Sequence, residues 1–265
     1  YKSGQVWFST ERSNKELAKE FLTQRKYNEA VEHFKKSIEE EIKKHGREYD
    51  DSVADDYFHL GKAYFRLGRY PQALECYKKA EAITSRIHGQ DFKDLADIYS
   101  DIALTYNRLD QPETSLDFHH KCINLLKKLG GENNPDLGLA YLHMAGTYYH
   151  QRKYNEALKY YERALKLVKQ ALGEKDVHIS MIYSNLGLIY YQLNKHQEAV
   201  EFHQKALEHR LQNLDPDHPH IGNSYVNLGH LRRNQGKVEI AQEYYKKALE
   251  IYIKNFGENH PDVAR

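Results

Sequence analysis

The chain is predicted to be an all-α solenoid of six helical hairpins, and three observations in the sequence lead to that prediction. A short motif recurs along most of its 265 residues. When the motif is aligned on one small residue per repeat, the intervals are 43, 42, 42, 42 and 42 residues. Within each repeat, small and aromatic residues lie three or four positions apart, as on one face of an α-helix. The alignment positions are Ala30, Ala73, Ser115, Ala157, Ala199 and Ala241.

The first helix of each repeat is predicted from a stripe of tyrosine, small residue and tyrosine. In the second repeat the stripe is Tyr57, Gly61 and Tyr64. Its spacing of i, i+4 and i+7 places all three side chains on one side of a helix. The first repeat departs from this pattern, because Asn14 stands where later repeats have tyrosine.

The second helix carries a complementary stripe, shown by Ala157, Tyr161 and Ala164 in the fourth repeat. Small side chains let two helix backbones approach closely, and the ring of one helix fills the space beside the small residue of the other. Each repeat is therefore expected to be an antiparallel hairpin in which these two stripes meet.

Glycines mark the end of the second helix, because a residue after a helix C-terminus often needs a positive φ. They stand sixteen residues after the alignment positions, at Gly46, Gly89, Gly131, Gly173 and Gly257, with Asp215 as the exception. These signals describe residues 1–265 as a single array. Its repeats lie at approximately 11–46, 54–89, 96–131, 138–173, 180–215 and 222–257, and residues 258–265 begin a further repeat.

The composition argues against several classes of function. Thirty-nine basic and 38 acidic residues leave a formal charge of +1, which provides no general attraction for nucleic acid. No apolar run is long enough to be inserted in a membrane, and the first ten residues lack the features of a signal peptide. Cys76 and Cys122 are not spaced as a metal or redox pair and are expected to be buried thiols. A cytoplasmic location is therefore expected.

These residues resemble the tetratricopeptide repeat (TPR) family over nearly the whole chain. The 42-residue period and linkers such as Gly257-Glu-Asn-His-Pro-Asp-Val-Ala264 resemble those of kinesin light chains and related adaptors. The resemblance implies a right-handed superhelical solenoid of six helix-turn-helix repeats. It also implies a scaffold that binds a peptide or a partner helix in a concave groove lined by the first helices.

A second stripe on each first helix is expected to line that groove. It is charged in repeats two and three, with Asp55 and Asp97 among its members, and neutral in repeats four to six. In kinesin light chains, asparagine at this position contacts the backbone of the bound peptide, and the resemblance gives Asn185 and Asn227 that role. The predicted partner-binding residues are His143, Tyr149, Met181, Asn185, Leu188, Tyr191, Asn223, Asn227 and His230.

No arrangement of residues predicts catalysis, and neither a cofactor nor a metal is expected. The histidine pairs His119-His120 and His218-Pro-His220 lack the spaced Cys, Asp or Glu ligands of a metal site. Two other functions stay open. One is a self-assembling structural spacer, since a last helix bearing Leu249, Ile253 and Phe256 has no predicted neighbour, as in a fragment of a longer protein. The other is a regulator of the Rap phosphatase type, for which few residues precede the first repeat.

Overall fold

The computed structural model describes residues 12–46 and 50–257. Two predicted segments lie outside the described residues. They are residue 11 of the first repeat and residues 258–265, which include the linker after Gly257 and the predicted start of a further repeat. Within the described ranges the secondary structure is α-helical, with one short 3₁₀ turn and no strand. The all-α repeat fold predicted from the sequence is confirmed.

Twelve α-helices form the described part of the chain, and they alternate between the first and second helix of a repeat. They are α1 (Asn14–Thr23), α2 (Tyr27–His45), α3 (Asp51–Arg66), α4 (Tyr70–His88), α5 (Asp94–Arg108), α6 (Pro112–Gly130), α7 (Leu137–His150), α8 (Tyr154–Leu172), α9 (Val177–Gln192), α10 (His196–Asn213), α11 (Pro219–Asn234) and α12 (Val238–Phe256). The 3₁₀ turn, Gly131–Asn133, follows α6.

The hairpin interface forms where the two predicted stripes meet. In the second repeat a Cβ atom at Gly61 would lie 2.6 Å from a ring carbon of Tyr77, and at Gly229 it would lie 2.5 Å from Tyr245. Such distances leave no room for a side chain, so the glycines are required by the close approach of the ring. The predicted packing of rings against small residues is therefore confirmed.

The helix ends follow local sequence signals. Ser13 and Glu16 form a capping box at the start of α1, and the Asp176 carboxylate caps α9 by accepting a hydrogen bond from the backbone N–H of His178. The predicted glycine stops adopt positive φ, from 63° at Gly46 to 87° at Gly173. Where Asp215 replaces glycine, α10 instead ends through Leu214 in an extended conformation.

The described residues divide into two compact units, an N-terminal unit up to Leu129 and a C-terminal unit from Gly130. In the N-terminal unit the core includes the fully buried Phe34 and Ile102. In the C-terminal unit an apolar cluster joins α10, α11 and α12, with Val200, Leu228 and Ile251 among its members. Cys76 and Cys122 are buried and are not joined in a disulfide, in agreement with the prediction of buried thiols.

Candidate functional site

The first helices of the N-terminal unit carry charges that are largely compensated within the unit. The Asp55 carboxylate lies 2.9 Å from the ammonium groups of both Lys15 and Lys19, and 3.0 Å from His59 Nδ1. Burial alone would raise the pKa of Asp55, but hydrogen bonds from these three side chains hold it well below its ordinary value. Asp55 of the charged stripe is thus the centre of a network that joins α1 to α3.

A cleft of about 540 Å³ opens beside this network in the N-terminal unit. Four carboxylates line it, together with rings such as Phe58 and Phe92. Two of the carboxylates already have partners, because Asp51 pairs with His88 at 2.6 Å and Asp55 belongs to the network described above. This cleft therefore offers few unpaired groups to a ligand.

The first helices of the C-terminal unit present a different surface, with no formal charge along the predicted stripe. Met181 and Leu188 on α9 are exposed by 40% and 36%, although both are apolar. Amide side chains alternate with them, at Asn185 on the same helix and at Asn227 on α11. This combination of exposed apolar groups and neutral amides suits an uncharged peptide backbone.

The amides of Asn185 and Asn227 form no side-chain hydrogen bond to any residue that the structure describes. Their neighbours differ, since Tyr252 donates a hydrogen bond to Asn223 Oδ1 and Asn234 donates one to the Tyr191 hydroxyl at 2.9 Å. Two amides in this part of the unit therefore keep their full capacity to donate and accept, which is what recognition of a backbone requires.

A cleft of about 220 Å³ lies between α9 and α11, above α10. It brings together four of the nine predicted residues. Its lining is Leu188, Tyr191, His203, Asn227, His230, Leu231, Arg233 and Asn234. The cleft is therefore a local site within the C-terminal unit, formed by two consecutive first helices and the second helix beneath them.

The other predicted residues lie outside this cleft: His143, Tyr149, Met181, Asn185 and Asn223. Tyr149 packs against Tyr154, with ring centroids 5.7 Å apart. Burial lowers the pKa of His143 to about 4, and the positive charge of His178 acts in the same direction. His143 is therefore a neutral side chain near pH 7, in agreement with the uncharged character of the stripe.

The sequence prediction missed part of the cleft, namely His203, Leu231 and Arg233, and did not count Asn234 among the binding residues. His203 lies on a second helix, four residues after Ala199, where the neighbouring repeats have Tyr161 and Tyr245. The exchange of tyrosine for histidine at a packing position was the available signal. It could not show that the ring borders a cleft, because that depends on how α9 and α11 are spaced.

Over residues 12–46 and 50–257, no group of three or more His, Cys, Asp or Glu side chains is arranged to hold a metal ion. In the same ranges, no helix combines the length and the apolar character that crossing a bilayer requires.

Comparisons with known proteins bear on both the fold and the family. The sequence profile of the tetratricopeptide repeat matches residues 10–86, 94–170, 136–212, 178–254 and 220–265. The comparison with curated protein sequences finds no match. No enzyme family is indicated by these results.

Three solved structures are similar to this chain. BtubC (BKLC) from P. vanneervenii has 20% sequence identity and a TM-score of 0.71, and the match covers 95% of both chains. Repeats of a putative kinesin light chain from Podospora anserina have 17% identity and a TM-score of 0.65, covering 78% of this chain and 98% of that one. The Rap conjugation gene regulator of plasmid pLS20, in complex with a Phr peptide, has 23% identity and a TM-score of 0.61, covering 78% of this chain and 55% of that one.

At these identities the structural likeness concerns the fold alone. The repeat profile is different, because its matches together extend over most of the chain and follow the same 42-residue period as the helical hairpins. The chain therefore belongs to the tetratricopeptide repeat family.

Proposed function

We propose that this chain is a non-catalytic adaptor of the cytoplasm, which binds an extended segment of another protein along the first helices of its C-terminal unit. Helices α9 and α11 would form the main contact surface. The observation that carries the proposal is the pair of amides, Asn185 and Asn227, that have no hydrogen-bond partner among the described residues.

An asparagine side chain matches the peptide group of a ligand, because its N–H donates to a carbonyl and its carbonyl accepts from an N–H. Equivalent positions on successive first helices are suited to contacting successive peptide groups of one extended ligand. The exposed Met181 and Leu188 would contact its apolar side chains. Because the stripe has no formal charge, the ligand backbone need not displace an existing ion pair.

The similar Rap regulator was solved in complex with a Phr peptide, and a peptide complex of a protein with a similar fold supports the proposal. Tetratricopeptide repeats as a family bind other proteins, which supports the adaptor role. Peptide selection tests whether the ligand lies on α9 and α11.

The test uses peptides selected from a random library of 12-residue sequences displayed on phage. Binding of the selected peptides is then measured by fluorescence anisotropy with the wild-type chain and with the double variant Asn185→Ala, Asn227→Ala. A hydrogen bond contributes about 0.5–1.5 kcal/mol net, so the loss of two should weaken binding by roughly tenfold or more.

Asn155→Ala is the matched control, because Asn155 is an exposed amide on the second helix α8. This variant should bind the peptides as the wild type does. If Asn155→Ala weakened binding as much as the double variant, or if no peptide were selected at all, the proposed groove would be wrong.

A self-assembling spacer is the second candidate, and it rests on α12. Leu249 and Phe256 on this helix are exposed by 40% and 42% although both are large and apolar. Exposed apolar surface of this kind is often covered by a second molecule. The third candidate, a regulator of the Rap phosphatase type, has in its favour only the likeness of fold.

A further inference from the structure

At the cleft between α9 and α11, the second helix carries a shorter ring, His203, than the second helices of the two adjacent repeats, which have tyrosine there. In the sixth repeat the hydroxyl of Tyr245 reaches His230 Nδ1 at 3.0 Å, at the surface of the first helix. In the fourth repeat the hydroxyl of Tyr161 lies 3.7 Å from the position that a Cβ of Gly146 would occupy. The second-helix tyrosine thus fills the space beneath the first helix in both neighbouring repeats.

The fifth repeat has His203 at that position, packed against Gly187 so closely that a Cβ would lie 2.6 Å from the imidazole. An imidazole lacks the outer carbons and the hydroxyl of a tyrosine. The space that the phenol of a tyrosine would fill is therefore open beneath Leu188, and His203 lies at the bottom of the cleft. His203 is only 2% exposed, and its Nδ1 has no hydrogen-bond partner among the described residues.

The groups around the cleft favour a negative ligand. None of the eight lining residues is acidic, and Arg233 forms no ion pair with any residue of the described ranges. A second arginine, Arg210, lies in the same unit and is only 8% exposed. Its guanidinium donates to Ser224 Oγ at 2.6 Å and to the carbonyl of His220 at 3.2 Å, but it pairs with no described carboxylate.

A buried charge without a counter-ion is unfavourable, and a buried polar atom without a partner costs about 1–3 kcal/mol. The positive charge of Arg210 is felt at His203, since both burial and that charge lower the pKa of the imidazole, to about 4. An anion in the cleft would be attracted by the unpaired charge of Arg233 and, at longer range, by that of Arg210. A cation would be repelled by both.

We propose that this cleft is a specificity pocket that takes one acidic side chain, Asp or Glu, of the bound peptide. The inference rests on the proposed function and adds to it the chemistry of one peptide position. The carboxylate would pair with the Arg233 guanidinium, while Leu188 and Tyr191 contact the aliphatic part of the same or the next residue.

The experiment continues with the peptides selected on the wild-type chain. Their sequences should share an acidic position. Peptides in which that residue is replaced by the matching amide, Asn or Gln, should bind the wild-type chain about tenfold more weakly. In the Arg233→Gln variant, replacing the acidic peptide residue by its amide should change the affinity less than twofold, because the peptide carboxylate no longer has an arginine to pair with.

Two variants make the assignment specific. Arg108→Gln removes one positive charge from the first helix α5 of the N-terminal unit. In this variant the amide replacement in the peptide should still weaken binding about tenfold. His203→Tyr introduces into the cleft the tyrosine that the neighbouring repeats have at this position. It should weaken the binding of acidic peptides about as much as Arg233→Gln does. Its circular dichroism spectrum should match that of the wild type, because the fold already accepts Tyr161 and Tyr245.

The outcomes separate this inference from the proposed function. Peptides that depend on Asn185 and Asn227 but share no acidic residue would overturn the acidic pocket and leave the groove standing. An effect of the peptide carboxylate that is equal in the wild type and in Arg233→Gln would also overturn the pocket. If no peptide were selected, both proposals would be wrong.

Discussion

At the scale of single residues, the turn inside each hairpin shows how one backbone geometry is met by different side chains. The same repeat position has positive φ in all six hairpins. It is glycine in two of them, Gly68 and Gly236. In the other four it is Arg25, Asp110, Arg152 and Asn194. A residue with a Cβ is strained in this conformation, and asparagine and aspartate tolerate it better than arginine does.

Arg152→Gly should therefore stabilise the chain by about 0.5–1 kcal/mol, because relief of the strain at φ 59° outweighs the extra freedom of glycine in the unfolded state. Thermal unfolding followed by circular dichroism measures the change. Arg152→Ala is the control, since alanine removes the same side-chain contacts and keeps the Cβ. An equal gain from both variants would contradict the argument.

The pH dependence of stability also follows from individual residues. Burial lowers the pKa values of His143 and His203 to about 4, and it raises the pKa of Asp101 to about 6. Between about pH 6.5 and 4 the unfolded chain holds more protons on the two histidines than the folded chain does, so they reduce stability as the pH falls. Asp101 acts in the opposite direction over about pH 6 to 3.8.

Burial also lowers the pKa of His220 and raises the pKa values of Asp56 and Glu81. We expect the buried histidines to outweigh the carboxyl groups, so the chain should melt at a lower temperature at pH 5 than at pH 7. His203→Tyr should lose less stability over the same interval, because it removes one of the buried histidines. Melting curves at the two pH values test both statements. A chain that melts higher at pH 5 than at pH 7 would show that the histidines do not dominate.

At the scale of helices, the close contact within each hairpin depends on residues that have almost no side chain. Ala157 and Ala199 are fully buried, and Gly187 lies against His203. Because helix backbones approach closely there, an added methylene has no space to enter. The stripes of small residues thus determine how the two helices of a repeat pack.

Ala199→Leu should destabilise the chain by about 1–3 kcal/mol, since leucine would force α9 and α10 apart. Urea unfolding monitored by circular dichroism is the measurement. Glu201→Leu is the control on the same helix, because Glu201 is exposed and its replacement should change stability by less than about 0.5 kcal/mol. Equal effects of the two variants would show that Ala199 is not at the hairpin interface.

At the scale of the whole molecule, each compact unit contains its own core and its own kind of surface. Ion pairs link the helices of the N-terminal unit, whereas the C-terminal unit has an uncharged stripe on its first helices and an apolar surface on α12. In repeat proteins each hairpin packs on its neighbours along the chain, so an exposed apolar face on one hairpin can bind another molecule.

If the α12 surface joins two molecules, the chain should form dimers or larger species at micromolar concentration. The double variant Leu249→Ser, Phe256→Ser should then be monomeric, because it removes the two large apolar side chains that are exposed in the C-terminal half of α12. Sedimentation velocity over a range of concentrations measures this. A wild-type chain that is monomeric throughout would exclude the spacer, and the adaptor proposal does not depend on the result.

The repeat, the helical hairpins and their small-residue interface could be predicted from the sequence, because they depend on contacts between residues that are close along the chain or separated by one repeat. The change from a charged to an uncharged stripe on the first helices could be predicted as well. The three-dimensional structure was needed to learn which members of the uncharged stripe meet in one cleft, which amides have no described partner, and that His203 borders the cleft. Those properties depend on distances between α9, α10 and α11, and a difference of a few ångströms separates a filled interface from an open pocket.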